Sequence, residues 1–308
     1  MALISVVIPC YNQAHFLGEA IASVWQSSTR DVEVIVVDDG STDSTARVGS
    51  SFGGTRLISG PNRGLAHARN RGLAESAGKY LVFLDADDML TRGALDIGLA
   101  ELAAHPTAAL VSGRCRIIAE DGGPLHTPEQ ARVERDHYKE LLRHNYIWMP
   151  AMAMIRREAI ERVGGFDHTA NAAADYSLYL RIARTHTVHN HAQVVALYRK
   201  HSSNMSRNSA RMLQETLTVL RRERPFVAGD PRLLQAYYEG WNRWRELYGA
   251  HIVDEIRADM RSRSWRALRN VAALGWLHPR AAIRQVGRKA SLTMQRTTRR
   301  FSLHRKDR

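Results

Sequence analysis

An apolar run, Tyr80-Leu81-Val82-Phe83-Leu84, ends abruptly in Asp85-Ala86-Asp87-Asp88. Three carboxylates at the end of one strand repel each other, and a cation or a strong donor is the simplest remedy. Hard oxygen ligands favour Mg2+ or Mn2+ over Zn2+, and such ions usually share their coordination with the phosphates of a nucleotide. The same residues also read as a solvated acidic turn, and the motif alone leaves both readings open. A second acidic loop, Asp38-Asp39-Gly40-Ser41-Thr42-Asp43, follows the apolar Val36-Val37. An acid there can accept from a ribose hydroxyl or a base N–H, and Ser44 and Thr45 are expected to cap the next helix. After the first apolar run, Pro9-Cys10-Tyr11-Asn12 stands where a Gly-rich phosphate loop would lie, so the dinucleotide fingerprint and the Walker loop are both absent.

These loops need strands to present them. Ile4 to Ile8 and Val32 to Val37 are strand-like and nearly apolar throughout, as parallel strands covered on both faces are. Arg56 to Ser59 is a weaker strand and Tyr80 to Leu84 a fourth. Helices are expected at Ala14 to Gln26, Leu65 to Ser76 and Leu95 to Ala104, and a strand at Ala108 to Ile118. After Pro150 the pattern predicts a helix over Arg156 to Val163, ended by Gly164-Gly165, then a helix over Asp175 to Arg184 and a last strand at Val194 to Tyr198. Alternating strands and helices imply an α/β layered domain whose ligands sit at the carboxyl ends of the strands. From about Ser209 the chain reads as helical and Arg-rich, which sets a boundary near residue 208.

Composition narrows the setting. The 308 residues suffice for one large or two modest domains. Apolar stretches are only strand-sized, and the N-terminus lacks the basic and long apolar regions of a signal peptide, so no membrane span is expected. Two cysteines, Cys10 and Cys115, suit a reducing cytosolic compartment. Charge is unevenly placed: Arg261 to Arg308 holds 14 Lys and Arg against a single acid, Asp307, which accounts for the whole net charge of +13. A basic tail of this kind attracts polyanions, with anionic lipid ahead of nucleic acid because no nucleic-acid motif accompanies it. Within Arg261 to Leu277, Trp265, Leu268 and Ala272 recur at helical spacing opposite a basic face, as in an interfacial membrane helix; a helix packed on the rest of the protein is the other reading.

Taken in order, Ser5 to Asn12, Val37 to Asp43, Asn62-Arg63-Gly64-Leu65-Ala66 with Ala68-Arg69-Asn70, Phe83 to Asp88, Gly164-Gly165-Phe166-Asp167 with Asp175 to Arg181, and Tyr198-Arg199-Lys200-His201 with Asn204-Met205-Ser206 closely resemble the family-2 inverting glycosyltransferases of GT-A fold. The resemblance spans roughly residues 3 to 206. It implies a Rossmann-like mixed sheet flanked by helices over 1–208, with a nucleotide-sugar half to about 110 and an acceptor half from about 111, and a C-terminal α-helical basic extension over 209–308.

The resemblance also implies roles. Pro9, Tyr11, Asn12, Asp39, Arg69, Asp85, Ala86 and Asp88 fall at nucleotide-sugar positions, with Tyr11 against the base and Asp39 accepting from it. Asp87, with Asp85 and His201, falls at the metal site for Mn2+ or Mg2+. Asp175 matches the catalytic base, although the family's preceding Glu is Ala174 here, and Tyr179 stands where relatives often have Trp. The expected activity is metal-dependent inverting transfer of a sugar, most simply from a UDP-sugar, to a saccharide or lipid-linked hydroxyl acceptor in cell-surface polysaccharide or glycolipid synthesis. The expected location is cytoplasmic, peripheral on the inner face of the membrane through 261–308, with no nucleic acid partner. The competing reading is an inactive relative that binds nucleotide and is recruited by its tail. Trp148-Met149-Pro150 are read as core rather than as pocket lining.

Overall fold

The computed structural model describes residues 3–28 and 30–261. The basic amphipathic stretch beyond Arg261, with its expected membrane contact, lies outside the described residues. Among the described residues eight strands form one mixed sheet: β1 (Ile4–Cys10), β2 (Val32–Asp38), β3 (Thr55–Ser59), β4 (Tyr80–Phe83), β5 (Met89–Leu90), β6 (Ala108–Ile118), β7 (Ala153–Arg156) and β8 (Thr187–Arg199). Their order across the sheet is β3-β2-β1-β4-β7-β6-β8-β5. The first four run parallel, β7 is antiparallel to both its neighbours, and β8 is parallel to β6.

This register decides where the loops go. Cys10 pairs with Asp38 and Val7 with Phe83, so β1, β2 and β4 end at one edge. Two reversals across β7 return β6 and β8 to the same direction, and Arg199 at the end of β8 reaches that edge too. All seven residues of β1 are buried, as a central parallel strand with both faces covered requires.

The helices are α1 (Ala14–Gln26), α2 (Thr45–Ser51), α3 (Leu65–Glu75), α4 (Ala94–Ala104), α5 (His137–Arg143), α6 (Arg157–Arg162), α7 (Ala174–Thr185), α8 (Ser209–Val227) and α9 (Pro231–Arg261). The helix expected over Arg156 to Val163 is α6, preceded by a short strand, β7, that the sequence pattern did not indicate and whose Arg156 and Ile155 pair with Tyr80 and Leu81. Two expectations need correction. The last strand is 13 residues long rather than five, since its polar first half pairs with β6 and alternation there is broken by register shifts. Ser44 precedes α2 without a side-chain bond to it, and Asp43 serves instead, its Oδ1 accepting from Thr45 N at 2.9 Å and Thr45 Oγ1 at 2.6 Å.

Leu213, Leu217 and Leu220 of α8 and Tyr237 and Ile252 of α9 share one apolar cluster with the sheet. At Gly240 a Cβ would run into the Leu142 carbonyl, so α9 approaches the backbone of α5 too closely for any other residue. Among the described residues no helix is long and apolar enough to cross a membrane.

Gly72 performs a similar service for α3. A Cβ at this position would collide with Val7 of β1 and stand 3.2 Å from Val37 of β2, so the helix lies directly on these two strands. Gly72→Ala gains up to ~1 kcal/mol of helix propensity, but overpacking costs about 1–3 kcal/mol. The expected result is a net loss of stability in chemical denaturation; a variant as stable as the parent would show that α3 can ride up without cost.

Candidate active site

The close approach of α3 sets Arg69 and Asn70 over the strand ends. Arg69 is 3% exposed, its Nη2 donating to Asp85 Oδ1 at 2.6 Å, with its guanidinium 5.3 Å from the centre of the Phe166 ring. Burial works against its charge, but Asp85 and Asp175 outweigh that and hold its pKa above the usual range. A surface arginine is thereby excluded. Its Nε is buried with no hydrogen-bond partner among the described residues. Asn70 holds the Gly164-Gly165-Phe166-Asp167 corner: its Nδ2 donates to Phe166 O and its Oδ1 accepts from Phe166 N, both at 2.8 Å. Phe166 in turn meets Phe83 edge-on at 4.6 Å.

The acidic loop after β4 is fastened from the other side by Arg199, which is 1% exposed. Its Nε donates to Asp87 O at 2.9 Å, its Nη1 to Glu120 O at 2.7 Å and its Nη2 to Glu19 Oε2 at 2.6 Å, while its backbone N donates to Asp88 Oδ1 at 2.8 Å. Burial first, then Asp87 and Asp85, push the Asp88 carboxyl well up. Asp87 is also raised, by burial and then by Asp85, with His201 pulling the other way. His201 Nε2 lies 2.8 Å from Asp87 Oδ2, and its Nδ1 lies 2.8 Å from Ser203 Oγ. Ala86, between the acids, is fully buried. Crowded carboxylates whose ionisation burial opposes are what a hard divalent cation relieves, so this donor set fits one.

On the neighbouring loops, Tyr11 is 48% exposed while Pro9 lies buried within β1. Asn12 has a φ of 54°, a region Asn tolerates, and its Oδ1 accepts from Thr42 N at 2.8 Å while its own N donates to Ser41 Oγ at 2.9 Å. Asp39 accepts from Arg63 N at 2.9 Å and Gly64 N at 2.8 Å, one bond to each oxygen, which ties the loop after β2 to the start of α3.

Asp175 sits in the first turn of α7, whose N-cap is Ala173, so it is not the capping residue. Its Oδ1 accepts from Tyr176 N at 2.7 Å. Burial raises its carboxyl to about 6, against the pull of Arg69 and that N–H, and Asp85 adds to the rise. Tyr179 is buried one turn on, within the field of Asp175 and Arg69. Met149 and Pro150 are buried as expected of core residues, but Trp148 is exposed. Three residues of the sequence motifs acquire tasks that their spacing did not reveal: Asn70 and Arg199, as above, and Asn204, whose Nδ2 donates to Arg199 O at 3.1 Å and lies 3.4 Å from Asp87 Oδ2.

A family model described as Glycosyl transferase family 2 matches residues 5–164. The chain is 34% identical over 187 residues to the pre-mycofactocin glycosyltransferase of Mycobacterium tuberculosis, a match covering 58% of this chain and 38% of that protein. It is 29% identical over 189 residues to the chondroitin synthase of Pasteurella multocida, covering 59% of this chain and 19% of the other. The chain thus spans well under half the length of these relatives. Among solved structures, the mannosyltransferase PcManGT from Pyrobaculum calidifontis in complex with GDP-Man and Mn2+ superposes with a TM-score of 0.60 at 21% identity, over 97% of this chain and 82% of that one. S. aureus TarS 1-349 in complex with UDP-GlcNAc gives 0.58 at 15% identity, over 90% and 91%. These likenesses establish the GT-A fold. The family match runs from the first strand through all three strand-end loops to the Gly164 corner, more than half of the sequence, and the chain belongs to glycosyl transferase family 2.

Proposed function

We propose that this protein is an inverting glycosyltransferase that moves a sugar from a nucleotide-diphosphate donor, a UDP-sugar in the first instance, to a hydroxyl acceptor. The observation that carries the reading is Arg69, whose buried charge joins Asp85 of the donor-side loop to Asp175 at the start of α7. The nucleotide sugars held by structural neighbours support the donor class, UDP-GlcNAc in one and GDP-Man in another. Residues 1–208 would form the catalytic unit, and the helical region from 209 its extension.

In this reading the exposed ring of Tyr11 receives the base, and Asp39 accepts from it with the lone pairs its two backbone bonds leave free. Pro9 and Asn12 shape that loop, and Ala86 and Asp88 border the sugar. Asp87, with Asp85 and His201, would hold Mn2+ or Mg2+, which supplies neutralisation of the charge on the departing diphosphate. Asp175 takes the proton of the acceptor hydroxyl as its oxygen bonds to the anomeric carbon and the bond from that carbon to the diphosphate oxygen breaks. A carboxyl near 6 is largely ionised at neutral pH yet more basic than a free aspartate, which suits a general base. Polysaccharide or glycolipid assembly on the inner face of a membrane is the proposed setting, supported by the names of the relatives and by the charge of 261–308.

Asp175→Asn is expected to lower turnover by ~10²–10⁴-fold while leaving UDP binding intact, read by product formation beside calorimetric titration with UDP. Undiminished turnover would remove Asp175 from the role. In the parent, kcat/KM should rise with pH through about 6 as Asp175 ionises. Stability runs the opposite way: a carboxyl raised on folding favours the native state below its unfolded pKa and loses that contribution as pH rises through the folded value near 6. Asp175→Asn should therefore gain on the parent between pH 4 and pH 7.5, by about 1–3 kcal/mol. A stability difference between the two that stays the same at both pH values would argue against a raised carboxyl. Asp87→Ala is expected to abolish any Mn2+-dependent rise in melting temperature with UDP; a rise that survives would place the ion elsewhere.

A further inference from the structure

Away from the acidic loops, α4 and β8 bring together a different set of ligands. Glu101 in the last turn of α4, His105 just beyond it and His189 near the start of β8 have ligand atoms all within 4.8 Å of one another. His189 Nε2 lies 3.4 Å from Glu101 Oε2, and His105 Nδ1 lies 3.7 Å from the same oxygen. A tetrahedral ion with bonds of ~2.0–2.1 Å needs ligand atoms ~3.3–3.4 Å apart, so Glu101 and His189 already fit while His105 must move closer. The two imidazoles stack at 3.5 Å with 18° between their planes, so binding one ion requires a ring rotation that brings both in-plane lone pairs onto it. Gln193 Nε2 donates to Glu101 Oε1 at 3.2 Å, orienting the carboxylate from outside. His189 and Arg199 pair with Val111 and Ile118 of β6, which at the rise of a β-strand puts the cluster roughly 20–25 Å from the strand end beside the acidic loop.

We propose that Glu101, His105 and His189 bind Zn2+ as a site separate from the nucleotide-sugar site. Two imidazoles and one carboxylate are a donor set for zinc rather than for Mg2+ or Mn2+, which favour sets made mostly of oxygen. Loading the site replaces the contact of His105 Nδ1 with Glu101 O, now 3.0 Å, and one vertex remains for water on the solvent side, where the His105 side chain is 40% exposed. Arg132 is near enough to His189 to oppose a cation, and the Glu101 carboxylate offsets it. The ion clips the end of α4 to β8, a structural task distant from the chemistry.

The test is equilibrium dialysis of the full chain, free of any histidine tag, against Zn2+, with bound metal counted by mass spectrometry. One tightly held Zn2+ per chain is expected, retained in Asp87→Ala and lost in His105→Gln, with circular dichroism confirming that the variant keeps its fold. Gln193→Ala should weaken Zn2+ by ~10–100-fold without changing the fold. The Co2+-loaded parent offers a readout that needs no variant, since tetrahedral nitrogen and oxygen ligation gives visible absorption bands far stronger than those of the hydrated ion. Absence of bound Zn2+ in the parent, full occupancy in His105→Gln, or loss of the ion in Asp87→Ala would each overturn the proposal.

Discussion

The buried guanidinium of Arg69 is the interaction on which the rest of the site depends. A charge at 3% exposure is tolerable only when carboxylates compensate for lost hydration, and Asp85 does so from the loop after β4 and Asp175 from the first turn of α7. The two are far apart in sequence. Arg69 therefore acts as the electrostatic tie between the half of the sheet that ends in acidic loops and the start of α7. Gly72, one turn along α3, permits that tie by letting the helix lie on β1 and β2.

Arg199 complements it from the far side. Where the Arg69 guanidinium engages a carboxylate of the acidic loop, that of Arg199 engages the carbonyls of Asp87 and Glu120 and the Glu19 carboxylate, while its backbone N takes one oxygen of Asp88, and together these fix the path of the loop. Three acids on such a loop cannot all be comfortably ionised in the absence of a counter-charge, and the upward shifts at Asp87 and Asp88 express that cost. Asp85 is drawn to Arg69 and Asp87 to His201, so the acids are held apart by different partners rather than by the chain between them.

Much of the fold was legible because it rests on local periodicity. The apolar runs that became β1, β2 and β4 have both faces covered, and the helical spacing of Ala14 to Gln26 matches α1 residue for residue. The strand β7 and the first half of β8 were not legible, since four residues between a 3-10 turn and a helix carry too little pattern and a strand with shifted register loses its alternation. Within the site, motif order pointed to Arg69 and Asp175 as site residues. That Asn70 would clasp Phe166 through both backbone groups, or that both oxygens of Asp39 would already hold backbone N–H groups, depends on approach between segments.

The residues themselves thus determined which side chains stand at the ends of strands, because a strand ends where an apolar run gives way to polar turn residues, and that is a local property. Family membership follows from the same order of motifs. What only the tertiary structure decided is the pairing: which acid meets Arg69, which meets His201, and how far burial lifts Asp175. Charge energies depend on distance and on excluded water, and both are set by packing between segments far apart in the chain.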